Sequence, residues 1–356
     1  MIGGNLEEKC YKKRGDLLLP DKKKNGATEL PLSNSGVDDV SNISSAYYSD
    51  ILLKLQDEVG SKFAGKKEQS SVLASVYSFL ELNKRSARVF DCGSFLEFVV
   101  TDTEKKLQQA NFCRDRLCPM CNWRRSMKIF SQVSEVMNSH LMQDYQFLFL
   151  TLTVRNCSAD KLSLTIQSLY DGWRFLYHKC KEFRSSIEGS FRSLEVTRNK
   201  TDGTYHPHLH CVLAVKPGYF KHGYISQKRW SELWQNACDL DYCPIVHIEK
   251  IKPSSDGLAG AVAEVTKYAV KGSDYIQPDD IDLSAGIVQA LLSALSGRRL
   301  CGWTGVFNDV RKVLNLDDAE TGDLVHIGEC DIREDVAQLI VRYHWKSGIY
   351  VRSIDE

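Results

Sequence analysis

The chain has 356 residues, of which 43% are hydrophobic and 26% charged, a composition typical of a soluble protein with two or three folded units. Its 46 basic residues balance its 46 acidic residues, so the overall charge indicates no nucleic-acid partner, and any DNA site has to be a local basic patch. No apolar run approaches the roughly 20 residues that span a bilayer. The early stretch LLLP is too short for a signal-peptide core, and we therefore expect a cytoplasmic protein without a membrane partner.

The N-terminal residues 1–60 are polar, lack sustained periodicity and are predicted to form a flexible tail. The next unit, 61–145, begins with an amphipathic helical pattern in KEQSSVLASVYSFLELNKR. It continues with FLEFVV and LQQANF, two predicted strands that are joined by the polar turn TDTEKK. A helix is expected to follow at about 122–142.

Twelve cysteines are many for a chain without an export signal, where metal binding or plain burial is expected instead of disulfides. The stretch CRDRLCPMCNWRRS contains Cys113, Cys118 and Cys121, and its Cys-Pro-Met-Cys knuckle is a good half-site for zinc. A hairpin of the two strands returns Cys92 beside Cys113 as the fourth ligand, with His140 as a less attractive alternative. Buried or free cysteines are the competing interpretation of a predicted structural Zn²⁺ site.

The same stretch is the clearest local basic patch, because Asp115 is the only acid between residues 111 and 130. Cations clustered in this way can hold DNA phosphates. The candidate DNA-binding residues are Arg114, Arg116, Arg124, Arg125 and Lys128. For the last three, a solvated helix face is the alternative.

The middle of the chain, 146–280, alternates strand and helix patterns. QFLFLTLTV, residues 146–154, predicts a buried strand, and a helix is expected at about 160–182. Two strands follow, near 191–198 and 207–215. This order favours an antiparallel α+β domain.

Three histidines stand at every second position in HPHLH: His206, His208 and His210. Because side chains alternate across a strand, all three can share one face, and two neighbouring imidazoles on a face can bind one divalent ion. Pro207 can bend the chain at His206, so we favour His208 and His210 as ligands. The alternative is that these are ordinary polar residues on a half-exposed strand.

The turn before the histidines points to a third ligand. Asp202-Gly203 is a favoured pair for a two-residue type I′ turn, and that register places Glu195 directly opposite His210, on the same face. A carboxylate beside two imidazoles suits Mg²⁺ or Mn²⁺ acting on phosphate, although zinc also fits. We therefore predict that His208, His210 and Glu195 bind a catalytic divalent ion.

The Ala-rich stretch at 258–272 predicts a helix that continues through AEVTKYAVKGSDY. A tyrosine can form a phosphoester once its proton is removed, a lysine nearby favours the phenolate, and a glutamate one turn away can activate water. The alternative is a solvated face on which the glutamate pairs with Lys267 or Lys271. Four residues form one stripe of that helix: Glu264, Tyr268, Lys271 and Tyr275.

The C-terminal region, 281–356, is predicted to be mainly helical, with RYHWKSGIY extended. Within it, SGRRLCGWTG places Arg298 and Arg299 beside a glycine-rich turn, where phosphate contact and a plain surface turn are both open interpretations.

Three of these stretches, FLFLTLTV, HPHLHCVLAV and EVTKYAVKGSDY, resemble in order and spacing the three motifs of plasmid rolling-circle replication initiators, or Rep proteins. These proteins belong to the HUH endonuclease superfamily, named for two histidines flanking an apolar residue. The resemblance covers about residues 85–330. It is greatest to the group with one catalytic tyrosine and a glutamate four residues before it.

The resemblance implies an α+β protein with the HUH-endonuclease fold. That fold has a central antiparallel sheet flanked by helices, here with an N-terminal zinc-binding segment and a mainly helical C-terminal region. The family also carries a cysteine pattern of this kind ahead of its first motif.

The resemblance also assigns roles. It implies that Tyr268 is the nucleophile, that Glu264 directs water, and that His208 and His210 bind the metal. Tyr275 departs from the pattern of relatives with two tyrosines, because it lies two helical turns away instead of one, and we give it no catalytic role.

The implied activity is that of a site-specific single-strand DNA endonuclease and strand transferase. It nicks one strand of the double-strand origin by metal-dependent tyrosine transesterification, leaves a 5′-phosphotyrosyl intermediate and a 3′-hydroxyl primer, and later terminates replication. The implied partners are plasmid origin DNA, single-stranded at the nick site, and host helicase and polymerase; a homodimer is left open. The alternatives are an HUH transposase or relaxase and a non-enzymatic zinc DNA-binding regulator.

Overall fold

Two antiparallel sheets with helices packed against them organise the protein. The computed structural model describes five stretches of the chain, residues 50–101, 104–252, 255–266, 270–327 and 338–354. Most of the predicted N-terminal tail, 1–49, lies outside the described residues, and residues 50–58 are helical.

The N-terminal unit combines three helices with a hairpin. Its elements are α1 (Gly65–Phe79), α2 (Asn83–Asp91), β1 (Phe95–Val100), β2 (Lys105–Ala110) and α3 (Pro119–Asn138). Proline fits the first turn of α3 because the N–H that it lacks has no intrahelical partner there. The two strands coincide with FLEFVV and most of LQQANF, so the predicted hairpin is confirmed.

The middle of the chain supplies four strands and three helices. They are β3 (Gln146–Thr153), α4 (Leu162–His178), α5 (Lys181–Ser186), β4 (Gly189–Arg198), β5 (Tyr205–Val215), α6 (Gln227–Ala237) and β6 (Val246–Lys250). Short 3₁₀ or π turns are found at Val59–Ala64, His140–Met142, Ala159–Lys161 and Tyr219–Gly223. The predicted strands near 146–154, 191–198 and 207–215 are confirmed.

The remaining part of the described chain contains four helices and three strands. They are α7 (Ser255–Val265), α8 (Gly272–Tyr275), α9 (Ile281–Leu295), β7 (Cys301–Thr304), α10 (Gly305–Val313), β8 (Leu339–Lys346) and β9 (Ile349–Ile354). The region 281–356, predicted to be mainly helical, therefore also contains strands, and RYHWKSGIY is extended as predicted. No described helix is both long enough and apolar enough to cross a membrane.

The sheet order places the histidine strand in the centre. One sheet has the order β6-β3-β5-β4-β7, and the other has the order β2-β1-β8-β9. All pairs in both sheets are antiparallel. The C-terminal region contributes to both sheets, because β7 pairs with β4 while β8 pairs with β1. The domain boundaries proposed from the sequence stay predictions.

Different helices cover the two faces of the five-stranded sheet. On one face, Leu150 and Leu209 belong to the larger hydrophobic core, with α4 and α6. On the other face, Phe149 and Val212 pack in a second core with Val262 of α7 and the apolar side of α3. Because side chains alternate along β5, the even-numbered histidines share the face of Val212, which is the face that α7 covers.

Candidate functional site

Three buried ligand-type side chains converge on β4 and β5. The Nε2 atoms of His208 and His210 lie 3.1 Å apart. The Oε2 atom of Glu195 lies 3.0 Å from Nε2 of His210 and 3.5 Å from Nε2 of His208. All three side chains belong to residues that are at most 8% exposed. The structure therefore brings together the trio that the sequence predicted.

The hairpin reaches this arrangement by a register that differs from the predicted one. Glu195 pairs with His208 and not with His210, because the connection between the strands is longer than the predicted two-residue Asp-Gly turn. The N–H of Asn199 donates to the carbonyl of Thr204 at 2.8 Å and closes the longer loop. The shift is two residues, and a shift by an even number keeps every side chain on its predicted face.

Hydrogen bonds behind the imidazoles direct both Nε2 atoms to the same point. Oγ1 of Thr151 lies 3.1 Å from Nδ1 of His210, and the carbonyl oxygen of His206 lies 3.0 Å from Nδ1 of His208. With Nδ1 engaged, Nε2 of each ring is left for a ligand-binding role. Thr151 was missed in the sequence, although a hydroxyl residue at an alternate position of an apolar strand is a readable signal.

The charge of Glu195 is fixed by its neighbours. Burial by itself would raise the pKa of this carboxyl, but hydrogen bonds and charge from His208 and His210 outweigh that effect and hold the pKa well below its ordinary value. Glu195 is therefore an anion in the folded chain, which is the form that binds a cation.

This donor set fits a divalent cation. Donor atoms about 3 Å apart are expected when each lies ~2.1 Å from one ion in octahedral geometry. Two imidazole nitrogens and a carboxylate oxygen form a mixed set that Mg²⁺, Mn²⁺ and Zn²⁺ all accept. Within the described part of the chain, this trio is one of two groups of three or more metal-ligand side chains, and four cysteines form the other.

Two charged side chains from AEVTKYAVKGSDY, residues 263–275, which we call the tyrosine segment, reach the histidine–glutamate cluster. In the last turn of α7, Glu264 places Oε1 3.9 Å from Nε2 of His210, and its side chain is 40% exposed. The ammonium of Lys271 lies 3.8 Å from Oε1 of Glu195. Two of the residues predicted to act together thus lie at the edge of the metal-type site.

Packing positions the C-terminal end of α7 over the sheet. Val262 and Val265 are fully buried in the second core. The hydroxyl of Ser193, on β4, donates to the carbonyl of Val265. Glu264 lies between these anchors, so its distance from the cluster is set by the fold.

The prediction that Glu264, Tyr268, Lys271 and Tyr275 form one stripe of a single helix is wrong. The helix ends at Val265, and Lys271 has an extended backbone, with φ −81° and ψ 140°, immediately before α8. Tyr275 is buried, and its hydroxyl donates to the carbonyl of Leu117, which accounts for this tyrosine structurally. Tyr268 lies outside the described residues.

The second cluster consists of four cysteines whose sulfur atoms converge. The Sγ atom of Cys121 lies 3.6 Å from that of Cys92 and 3.7 Å from that of Cys113, and Cys118 lies 3.5 Å from Cys92. Thiolates about 3.7 Å apart are expected around a tetrahedral Zn²⁺ with bonds of ~2.3 Å. The predicted set of four cysteines is thus assembled, and His140 is not part of it.

Backbone N–H groups donate to two of the sulfur atoms in this cluster. The backbone N–H of Cys113 donates to the sulfur of Cys92 at 3.4 Å, and that of Arg114 donates to Cys121 at 3.2 Å. Lys67 is buried nearby; burial lowers the pKa of its ammonium, while the charge of Cys92 acts to raise it. The set of donors fits a closed structural zinc site.

The predicted basic patch needs a correction. Arg124, Arg125 and Lys128 are at most 4% exposed. The guanidinium of Arg124 donates to the carbonyls of Leu324 and Val325, at 2.8 and 2.6 Å. The other two side chains likewise bond to the protein interior, so these three cations fasten α3 to the segment 317–325 instead of facing DNA. DNA contact stays a prediction for Arg114 and Arg116.

The protein is thus an α+β protein with a candidate metal site of two histidines and a glutamate beside the tyrosine segment. A separate cluster of four cysteines forms a second candidate metal site. Residues 104–351 match the family described as "Replication protein", and the chain belongs to that family. The resemblance to plasmid Rep proteins is therefore confirmed at the level of the family.

Curated relatives agree with this assignment. A "Protein rep" of Bacillus amyloliquefaciens is 38% identical over 311 residues, covering 80% of this chain and 91% of the relative. A "Protein rep" of Lactiplantibacillus plantarum is 37% identical and covers 76% of this chain and 87% of the relative. A third, from Streptococcus pneumoniae serotype 2, is 38% identical, with 74% and 83% covered. No solved structure matches this chain.

Proposed function

We propose that the protein initiates plasmid rolling-circle replication by nicking one strand of its double-strand origin. The observation that carries the proposal is the buried Glu195–His208–His210 cluster, with Glu264 and Lys271 of the tyrosine segment at its edge. A replication protein with such a site can bind a scissile phosphate at the point where its tyrosine acts.

In the proposed reaction the phenolic oxygen of Tyr268 attacks the scissile phosphorus and loses its proton to solvent. The bond between phosphorus and the 3′-oxygen breaks. The downstream part of the strand stays on Tyr268 through its 5′ phosphate as a phosphotyrosyl ester, and the 3′-oxygen of the upstream part takes up a proton to become the 3′-hydroxyl primer.

Glu195, His208 and His210 would hold Mn²⁺ or Mg²⁺, which supplies Lewis-acid chemistry at a phosphate oxygen. The chain's own contribution is to keep Glu195 ionised and both Nε2 atoms aligned. Lys271, half-exposed, lies beside Glu195 and would place a positive charge near a bound phosphate. The four cysteines would hold a structural Zn²⁺.

Termination needs a second cleavage after Tyr268 has been used. Glu264 is partly exposed and lies beside the cluster, so it can take a proton from a water molecule directed at the regenerated site. The proposed partners are plasmid origin DNA, single-stranded at the nick, and host helicase and polymerase in the cytoplasm.

Two other functions are less well supported. An HUH transposase or relaxase would use the same chemistry, but the relatives are named for replication. A zinc DNA-binding regulator without catalysis would have no need of a second, buried histidine–glutamate cluster.

The test is a nicking assay on supercoiled plasmid that carries the origin, with Mn²⁺ present. Tyr268→Phe is expected to abolish both the nicked product and the covalent protein–DNA adduct, because phenylalanine has no oxygen to attack phosphorus. Tyr224→Phe, at a tyrosine that is 61% exposed, is the matched control and is expected to leave both unchanged. An adduct that survives in Tyr268→Phe would remove this tyrosine from the mechanism.

A further inference from the structure

A cavity lined by arginines lies outside the histidine–glutamate site. Its volume is about 310 Å³, and it is formed by α2, the loop that carries the cysteines, and the C-terminal end of α9. Four arginines from the first two of these elements line it: Arg85, Arg88, Arg114 and Arg116. We call it the arginine pocket. None of its lining residues belongs to the catalytic cluster.

The pocket carries a clear excess of positive charge. Its lining contains four guanidinium groups and one carboxylate, that of Asp115. This carboxylate already accepts hydrogen bonds at Oδ1, from the hydroxyl of Tyr77 at 2.8 Å and from the N–H of Leu117 at 2.9 Å. Asp115 therefore orders the wall of the pocket and neutralises only part of its charge.

Several contacts hold the arginines in place before any ligand arrives. The guanidinium of Arg85 lies 3.4 Å from Oδ2 of Asp115 and stacks over the ring of Tyr77. Arg88 donates through Nη2 to the carbonyl of Cys113 at 2.5 Å. These bonds engage one side of each guanidinium, which has five N–H donors in all.

The other two arginines are fixed by the cysteine loop and by α9. The N–H of Arg114 donates to the sulfur of Cys121, and its backbone adopts φ +60°, the left-handed region. Arg116 donates to the carbonyl of Leu295, at the end of α9, at 2.5 Å. The side chains of Arg85, Arg88 and Arg114 are exposed, so the pocket faces solvent.

Guanidinium groups gathered in this way recognise phosphate, because their planar fork matches two phosphate oxygens at once. The described residues that line the pocket include no aromatic side chain. Sites for single strands use aromatic side chains as stacking platforms for bases, whereas contacts to duplex DNA are dominated by cations on backbone phosphates. The lining therefore favours duplex over single-stranded DNA.

We propose that the arginine pocket binds backbone phosphates of duplex origin DNA. It does not bind the single-stranded segment that is cut. This inference rests on the proposed function as a replication initiator. It moves the DNA contact from the buried cations of α3 to Arg85 and Arg88, which the sequence did not single out. It also gives the cysteine cluster a role, because that cluster holds the loop that forms one wall.

The test uses the full chain and two fluorescent probes: a duplex with the plasmid's own double-strand origin, and a single-stranded oligonucleotide with the nick site. Dissociation constants for the duplex are measured by anisotropy from low to high salt. In Arg85→Gln/Arg88→Gln, duplex binding is expected to weaken, and the slope of log Kd against log salt is expected to fall by about two, one for each phosphate that the variant no longer neutralises. Mn²⁺-dependent cleavage of the single strand is expected to stay unchanged.

Lys84→Gln is the matched control, because Lys84 is an exposed cation on the same helix that does not line the pocket. Arg88→Lys keeps the charge without the fork; it is expected to retain the salt slope and lose affinity. This milder variant also provides a test if the double variant folds poorly, which its melting temperature and bound zinc reveal.

Three outcomes would overturn the proposal. One is a folded double variant that binds the duplex with the parental affinity and slope. Another is an equal loss of affinity in Lys84→Gln, which would indicate general charge attraction. The third is a parallel loss of single-strand cleavage, which would place the pocket on the cut strand. Failure of the parental chain to cleave the single strand would instead count against the proposed function.

Discussion

His210 is the residue on which the histidine–glutamate cluster converges. Its Nε2 atom has His208, Glu195 and Glu264 within 3.9 Å, and its Nδ1 atom faces Thr151. One imidazole therefore connects the candidate metal site, the carboxylate of Glu264 and the sheet. Small changes around this ring are expected to act on metal affinity first.

Thr151→Val tests the support behind His210. The substitution keeps the shape of the side chain but removes the hydroxyl that holds Nδ1. Loss of such a support typically costs about 10- to 100-fold in metal affinity. We expect weaker Mn²⁺ binding by that factor, measured by electron paramagnetic resonance, and cleavage that recovers at higher Mn²⁺.

Thr153→Val is the control for that experiment, since its hydroxyl donates to the carbonyl of Ile245 at 2.7 Å. Unchanged Mn²⁺ affinity in Thr151→Val would contradict the assigned orientation of His210.

Glu264→Gln separates initiation from termination. A carboxylate acting as a general base is typically worth about 10²–10⁴-fold in rate. We expect origin nicking to persist while correctly terminated single-strand circles become scarce and longer products accumulate on gels. Glu249→Gln, at an exposed glutamate of β6, is expected to behave like the parent. Normal nicking together with normal termination in Glu264→Gln would remove this residue from the mechanism.

The sequence located Glu195 even though the predicted register was wrong. The reason is that the true turn differs by an even number of residues, which preserves the face of the strand. Thr151 is visible in the sequence as a hydroxyl residue in an apolar strand. Its contact with His210 could not be predicted, because the sequence does not state which strands pair.

The cysteine loop, residues 111–118 between β2 and α3, lies between the cysteine cluster and the arginine pocket. Its backbone N–H groups at Cys113 and Arg114 donate to the sulfur atoms of Cys92 and Cys121, and its residues line the arginine pocket. If zinc orders this loop, the loss of zinc should affect stability and duplex binding together.

About one zinc ion per chain is expected, and it should resist chelators because a closed site with four thiolates is structural. Cys121→Ser is expected to lose this zinc and to lower the melting temperature. Cys243→Ser, at an exposed free cysteine, is the control and should retain both. A metal-free chain that melts at the parental temperature would argue strongly against a structural zinc.

The burial of the cations of helix α3 could not be predicted from the sequence. These cations and the patch around them were predicted to face DNA, because local composition shows charge and not burial. The carbonyl groups that accept from Arg124 lie 200 and 201 residues further along the chain. Only the folded chain brings that segment onto the helix.

The C-terminal region adds strands to both sheets. Strand β8 pairs with β1, and the guanidinium of Arg342 donates to the carboxylate of Glu97 at 2.6 Å across that pair. Strand β7 borders β4, which carries Glu195. The sequence predicted the central antiparallel sheet. It could not predict the pairing of β8 with β1 or of β7 with β4, because these pairs join segments that are far apart in the chain.

In the proposed reaction, Tyr268 becomes covalently linked to the 5′ phosphate at the end that nicking creates, at the site formed by Glu195, His208 and His210. The most direct measurement is mass spectrometry of the protein after incubation with the single-stranded nick site and Mn²⁺, followed by digestion. We expect a peptide in which Tyr268 carries the 5′ phosphate of the cleaved strand, and no such adduct in His210→Ala. An adduct on another residue, or cleavage that leaves a free 5′ phosphate and no adduct at any time, would contradict it.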